Sequence, residues 1–396
     1  MAGIFDYLNW RGDLDFSKAP FNPVDNIILS QFSYLPLDNI VAGPDNKEAI
    51  SLRLAYGKFK NLLGNNKYNI NSHIMFKEDP ALFESLANSE RFGDCRLFGF
   101  VNHFDASREV QFSALSILLP DNSCFVVFRG TDFSLVGWKE DFNMSFSEII
   151  PAQVAALEYL EKIAHRTKGH LRLGGHSKGG NLAIFSAANC DKKIQKRITA
   201  IYANDSPGFH EKVVSGDGFT VIKDRIHSYV PQSSIIGMVL EHTWANNIIK
   251  SNKEGILQHE LYSWEVTAAD MVFVEKLSTS SLFVDQTLKQ WITGLNQRDR
   301  EKFINALFAI LRASKAKSFV ELEKNWIKAV GPMLKTLGDI DADTKNLLRK
   351  TIGDLFSTAL NNMNTFGLVP KTPLKDLVRK KLSMEIEIDN KYEDYV

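Results

Sequence analysis

The sequence is poor in several things, and each shortage narrows what the chain can be. Its three cysteines, Cys95, Cys124 and Cys190, are odd in number and widely spaced. That is neither a disulfide framework nor a metal-ligand pattern, and it suits a reducing cytoplasm. There is no net charge, since 47 basic side chains meet 47 acidic ones. A broad basic field for nucleic acid is thereby excluded, leaving only local patches. No window of about eighteen apolar residues runs free of charges, so no transmembrane segment is expected. The opening residues lack a basic start, and Asp6 interrupts their apolar stretch, so no secretory leader is expected either. Glycine and proline together make up only about a tenth of the residues, too few for a collagenous or low-complexity chain.

What is present is ordinary for a globular protein, 44% hydrophobic and 24% charged residues. The 396 residues allow two to three domains at about 150 residues each. Three zones follow from composition, with no internal repeats. The first, 1–90, is an aromatic extension with few β-rich runs. Asn22-Pro23 followed by Ile27, Ile28, Leu29 and Phe32 predicts a helix, as does 81–88, while Gly64-Asn65-Asn66 marks a loop. Phe and Tyr here read as core, with a lid over the site as the alternative.

The second zone, 91–275, alternates strands and helices. Segments 97–103, 112–119, 124–128, 171–173, 198–203 and 225–230 read as strands. Pro151 opens a helix with Val154, Leu157, Leu160, Ile163 and Ala164 at helical spacing, and a second helix runs over 179–190. That alternation predicts an α/β fold, a mostly parallel central sheet with helices on both faces. The third zone, 280–396, is a helical accessory region. Phe303, Ala306, Leu307, Ile310 and Leu311 fit one helix face, and Val320, Trp326, Ala329, Val330 and Leu334 another. A third helix is expected over 344–362, then a tail passing from basic (Lys375 to Lys381) to acidic (Glu385 to Asp394) residues, which reads as a solvated end.

The strongest chemical signal is Gly175-His176-Ser177-Lys178-Gly179-Gly180-Asn181-Leu182-Ala183, a Gly-x-Ser-x-Gly between a strand and a helix. A sharp strand-to-helix turn projects the serine hydroxyl above the sheet, and the helix N-terminus offers N–H groups to an oxyanion. The glycine spacing matches neither the dinucleotide fingerprint nor the P-loop. Upstream, a buried strand ends at Phe128-Arg129-Gly130-Thr131, followed by Trp138 and Asp141, which read as braces for that loop.

At these residues the sequence resembles the class 3 lipase family of α/β-hydrolases, which carries Phe-Arg-Gly-Thr/Ser after a strand, then a Trp and an Asp, then Gly-His-Ser-x-Gly-Gly. The resemblance covers about 95–270. Together with the opening Asn9-Trp10-Arg11-Gly12-Asp13-Leu14, the elbow is also similar to a bacterial lipase-like family of unassigned function, over most of the chain. The resemblance implies an α/β-hydrolase fold with Ser177 as nucleophile, and an oxyanion hole from Thr131 and the N–H of Lys178. It implies no cofactor and no metal.

Chain order in such a fold is Ser, then acid, then His. His227 sits in an expected strand and His210 follows Asp205 too closely, which leaves His259 as the base, with His242 as the alternative. The class 3 pattern places the acid after the next strand, where this chain reads Tyr229-Val230-Pro231-Gln232-Ser233 without a carboxylate. The nearest candidate is Asp205, at the end of the preceding strand; its other reading is a turn-capping residue before Pro207-Gly208. A dyad and an inactive scaffold stay open. Lys178 departs from the apolar residue that many lipases carry there: it favours an anionic substrate or pairs with a carboxylate, the latter being the preferred reading. The expected activity is cytoplasmic serine hydrolysis of a small-molecule or lipid ester or thioester. A binding module, or an acyltransferase or peptidase with the same site, is the alternative.

Overall fold

The structure is a computed structural model that describes residues 2–63, 74–105, 107–132, 134–238, 240, 242, 244–316, 321 and 326–365. The loop at Gly64, Val320 and the charged tail from Lys375 lie outside them. Among the described residues no helix is long and apolar enough to cross a membrane. The strands are β1 (Ile50–Ser51), β2 (Arg96–Asp105), β3 (Val110–Leu118), β4 (Cys124–Phe128), β5 (Leu171–His176), β6 (Ile198–Asn204), β7 (Ile226–Pro231) and β8 (Asn246–Ile249). The longer helices are α1 (Ile4–Arg11), α2 (Pro23–Phe32), α3 (Leu52–Leu63), α4 (Asp79–Asn88), α5 (Leu135–Asn143), α6 (Pro151–Arg166), α7 (Lys178–Asn189), α8 (Thr279–Thr293), α9 (Gln297–Ala313), α10 (Trp326–Asp339) and α11 (Ala342–Thr365).

The strands form one sheet whose spatial order follows the chain from β1 to β8. Pairing is antiparallel from β1 to β4 and parallel from β4 to β8, a mixed α/β architecture. The change of sense follows from the connections. A tight turn, in which Asp121 Oδ1 accepts from the Ser123 N–H at 2.9 Å, can only return β3 into an antiparallel β4. The link from β4 to β5 holds α5 and α6, long enough for a parallel crossover.

β4 is buried throughout, which explains its unbroken apolar run. Phe125 and Val127 join the core on one face; Cys124, Val126 and Phe128 join the core on the other. Right-handed crossovers laid in one direction put their helices on one face. That face carries α6 and α7. The opposite face is covered by the first zone, whose α2 packs against β4 and β5. The helix α2 starts at Pro23, with the Asn22 side chain accepting from the Val24 and Asp25 N–H groups, and buries Val24, Ile27, Ile28, Leu29 and Phe32. Phe59, Phe83 and Phe92 are buried in this same layer.

Periodicity placed some faces wrongly. Val154 is exposed, while α6 buries the expected Leu160, Ile163 and Ala164 together with Ala152, Ala156 and Tyr159. Leu334 is exposed on α10. In the third zone α9 packs against α5, α10 and α11, while α8 packs on α11. Phe308 of α9 is buried with its ring 5.7 Å from that of Phe142 in α5, and Arg300 Nη1 donates to the Ser145 carbonyl at 2.5 Å. The third zone thus rests on the helix that follows Thr131.

Candidate active site

Ser177 joins β5 to α7 with φ 56° and ψ −131°, a left-handed conformation worth about 1–3 kcal/mol of strain for a residue with a side chain. The surroundings over-determine it. The Ser177 N–H donates to the Asn204 carbonyl at 2.9 Å, and a Cβ at Gly175 or Gly179 would overlap the Phe128 carbonyl. The two glycines therefore let β4 pass directly against the turn. Ser177 is 8% exposed, at the head of α7, whose first N–H groups lack helical partners.

Asp205 follows β6, also at positive φ (46°), and is buried. Its Oδ1 accepts from Ser234 Oγ at 2.5 Å and from the Gly237 N–H at 3.1 Å. Its Oδ2 lies 2.6 Å from His259 Nδ1. An ionised carboxylate can only accept, so Nδ1 carries the proton and Nε2 is left basic. The end of β6 and the 3-10 turn beyond β8 bring acid and histidine together although 54 positions separate them. His259 closes a 3-10 turn (Gly255–His259) beyond β8, with its side chain 25% exposed. Its ring centroid lies 4.3 Å from that of His176, the residue before Ser177.

The other histidines are engaged elsewhere. His210 Nε2 meets the Met144 carbonyl at 2.8 Å, and His227 stacks on Tyr202 within β7. His242 lies nearer the site, with Nε2 3.3 Å from the Ser206 carbonyl and its ring against Trp244.

Thr131 Oγ1 donates to Asp141 Oδ2 at 2.5 Å, so Asp141 braces the loop as its position suggests. The Lys178 side chain is fully buried and Nζ donates to Glu140 Oε2 at 2.7 Å, to the Gln111 carbonyl at 3.1 Å and to Gln111 Oε1 at 3.2 Å, with Asp141 Oδ1 at 3.6 Å. The pairing reading of Lys178 is the one found. One cation thus faces two carboxylates. Burial pushes the Asp141 carboxyl up to about 6, Glu140 adding to the rise and Lys178 opposing it. Sequence reading missed Glu140, Gln111 and Ser234, all distant in the chain from the groups they hold.

A family model described as Mbeg1-like matches residues 86–309, more than half of the chain. The chain belongs to the Mbeg1-like family. The matched segment of this Mbeg1-like protein includes Thr131, Asp141, Ser177, Lys178, Asp205 and His259. Among solved structures it is similar to the native Rhizomucor miehei lipase propeptide complex at 11% identity and TM-score 0.36, covering 62% of this chain and 79% of that one. A deletion mutant of the same complex gives 12% identity and TM-score 0.35, covering 57% and 81%. No curated protein matches the sequence.

Proposed function

We propose that this Mbeg1-like protein is a lipase-like serine hydrolase with an α/β-hydrolase fold. It cleaves a carboxylic ester or thioester of a lipid or small molecule in the cytoplasm. The observation that carries the reading is the 2.6 Å contact of Asp205 with His259 Nδ1, beside a serine at positive φ on a strand-to-helix turn. Three buried free cysteines fit a reducing compartment.

In this reading Ser177 Oγ attacks the acyl carbon while His259 Nε2 takes its proton. Asp205 holds the imidazole in the required tautomer and balances the imidazolium. The N–H groups of Lys178 and Thr131 receive the oxyanion. The Thr131 hydroxyl proton is committed to Asp141 while that group is ionised, which leaves the main-chain donors to carry the oxyanion. Collapse expels the leaving group with the proton from His259. Water, activated by the same histidine, then releases the acyl group from Ser177.

The test is pre-steady-state hydrolysis of p-nitrophenyl esters and acyl thioesters of graded chain length, with intact-mass analysis. A burst of leaving group and one acyl adduct on Ser177 support the proposal. Turnover without an adduct, or none by correctly folded protein across both series, counts against it.

A further inference from the structure

A second buried histidine has no part in the chemistry above. His176 is 4% exposed, its Nε2 lies 2.7 Å from the His259 main-chain carbonyl, and its Nδ1 lies 2.8 Å from the Tyr34 hydroxyl. A carbonyl only accepts, so Nε2 carries the proton. Burial, with His259 adding to it, holds the imidazole well below the usual histidine range, so the ring is neutral at pH 7. Nδ1 is then an acceptor and Tyr34 must donate. Each proton from Tyr34 through His176 to His259 has one assigned place.

The tyrosine is itself held. Tyr34 is 3% exposed, just beyond α2, and its ring meets Phe76 edge-on at 5.7 Å. Phe76 packs at 6.0 Å against Tyr262, three residues past His259. Tyr262 donates to buried Asp79 at 2.7 Å, and Gln31 of α2 donates to the same oxygen at 3.0 Å. A Cβ at Gly130 would overlap the Tyr34 hydroxyl, so the loop before Thr131 rests on the same side chain. The first zone therefore supports the segment bearing His259 at two points, indirectly through His176, which bonds the His259 carbonyl, and directly through Tyr262.

We propose that His176, backed by Tyr34, is a positioning residue that sets where His259 stands between Asp205 and Ser177. The inference rests on the serine-hydrolase reading. His259 lies on a short turn rather than in a strand or long helix, and Asp205 constrains its imidazole but not its backbone. The His176 bond fixes the main chain at His259 itself, and a base displaced by 1 Å costs roughly 10²-fold in rate.

The experiment compares full-length wild type, His176→Leu, His176→Gln and Tyr34→Phe. A glutamine amide reaches the place of imidazole Nε2 and restores the donor to the His259 carbonyl. Two quantities are read per folded molecule: the second-order rate of fluorophosphonate labelling at Ser177, and the downfield proton resonance of His259 Nδ1–H, assigned by its loss in His259→Gln. His176→Leu should slow labelling about 10- to 100-fold and shift or broaden the resonance. His176→Gln should recover most of the rate, and Tyr34→Phe should fall between. A leucine variant matching wild type in both readouts, or a glutamine variant no better than leucine, overturns the proposal. Should the leucine variant not fold, a Tyr34→Phe protein identical to wild type overturns it, and a slowed one with a moved resonance supports it. If wild type takes no label, the hydrolase reading falls. The resonance in the same variants then decides alone: a shift in His176→Leu upholds the positioning role, and an unmoved signal ends it.

Discussion

Replacing Lys178 with methionine is the sharpest test of the buried cluster under the loop that carries Thr131. The two side chains are close in length and methionine packs readily, so the change removes a charge with little change of volume. What remains is Glu140, fully buried, with N–H bonds from Ala152 at 3.0 Å and Gln111 at 3.3 Å but no cation. Breaking a buried pair by removing one partner costs about 3–5 kcal/mol, because the other charge stays behind uncompensated. The Gln111 carbonyl also loses a donor, about 1 kcal/mol more. Against a total stability of about 5–15 kcal/mol this is a large fraction. Glu140→Gln in the methionine background removes the stranded charge and should return at least about 2 kcal/mol. Urea unfolding of the two single variants and the double variant measures it, as midpoint shifts at constant slope. A methionine variant within about 1 kcal/mol of wild type, or additive single and double losses, would refute the coupling.

Ser177→Gly should stabilise the protein by about 1–2 kcal/mol in thermal melts, because glycine accepts φ 56° freely, while abolishing labelling at that site. An unchanged or lowered Tm would mean that the turn is not strained. Asp205→Asn keeps an acceptor for Ser234 and Gly237 but cannot hold the His259 tautomer, so the rate of Ser177 labelling should drop by about 10³–10⁴-fold with little change in Tm. A loss under tenfold would favour a dyad. Burial raises the Asp79 carboxyl from 3.8 to about 6, so the folded chain keeps a proton that the unfolded chain has released. Stability from this group is therefore greatest below about pH 4 and falls as pH rises to about 6, by up to about 3 kcal/mol. Asp79→Asn should flatten that fall in urea midpoints measured across the window, and parallel curves for the two proteins would exclude it.

Local patterns are legible in the sequence, and partnerships over long chain distances are not. The elbow can be read because strand, glycines, serine and helix are contiguous, and β4 because a strand buried on both faces must be apolar throughout. The β8 strand escapes notice because Asn246-Asn247-Ile248-Ile249 is four residues long and half polar. The α5 helix escapes because Gly137 and a short span weaken its pattern. The covering of the second sheet face by the first zone depends on strand order, which local periodicity does not encode. Asp205 is hard to select because the ends of adjacent parallel strands are equivalent places for an acid. The Lys178 partner lies 38 positions upstream, and Tyr34 lies 142 from His176, so neither leaves a local trace.

The proposed chemistry requires Ser177 to be a nucleophile activated by His259. Fluorophosphonate labelling, mapped by mass spectrometry on wild type, His259→Ala and His242→Ala, tests it most directly. Wild type should carry one adduct on Ser177, which His259→Ala should lose and His242→Ala should keep. No adduct on correctly folded wild type, or dependence on His242 instead, would contradict it.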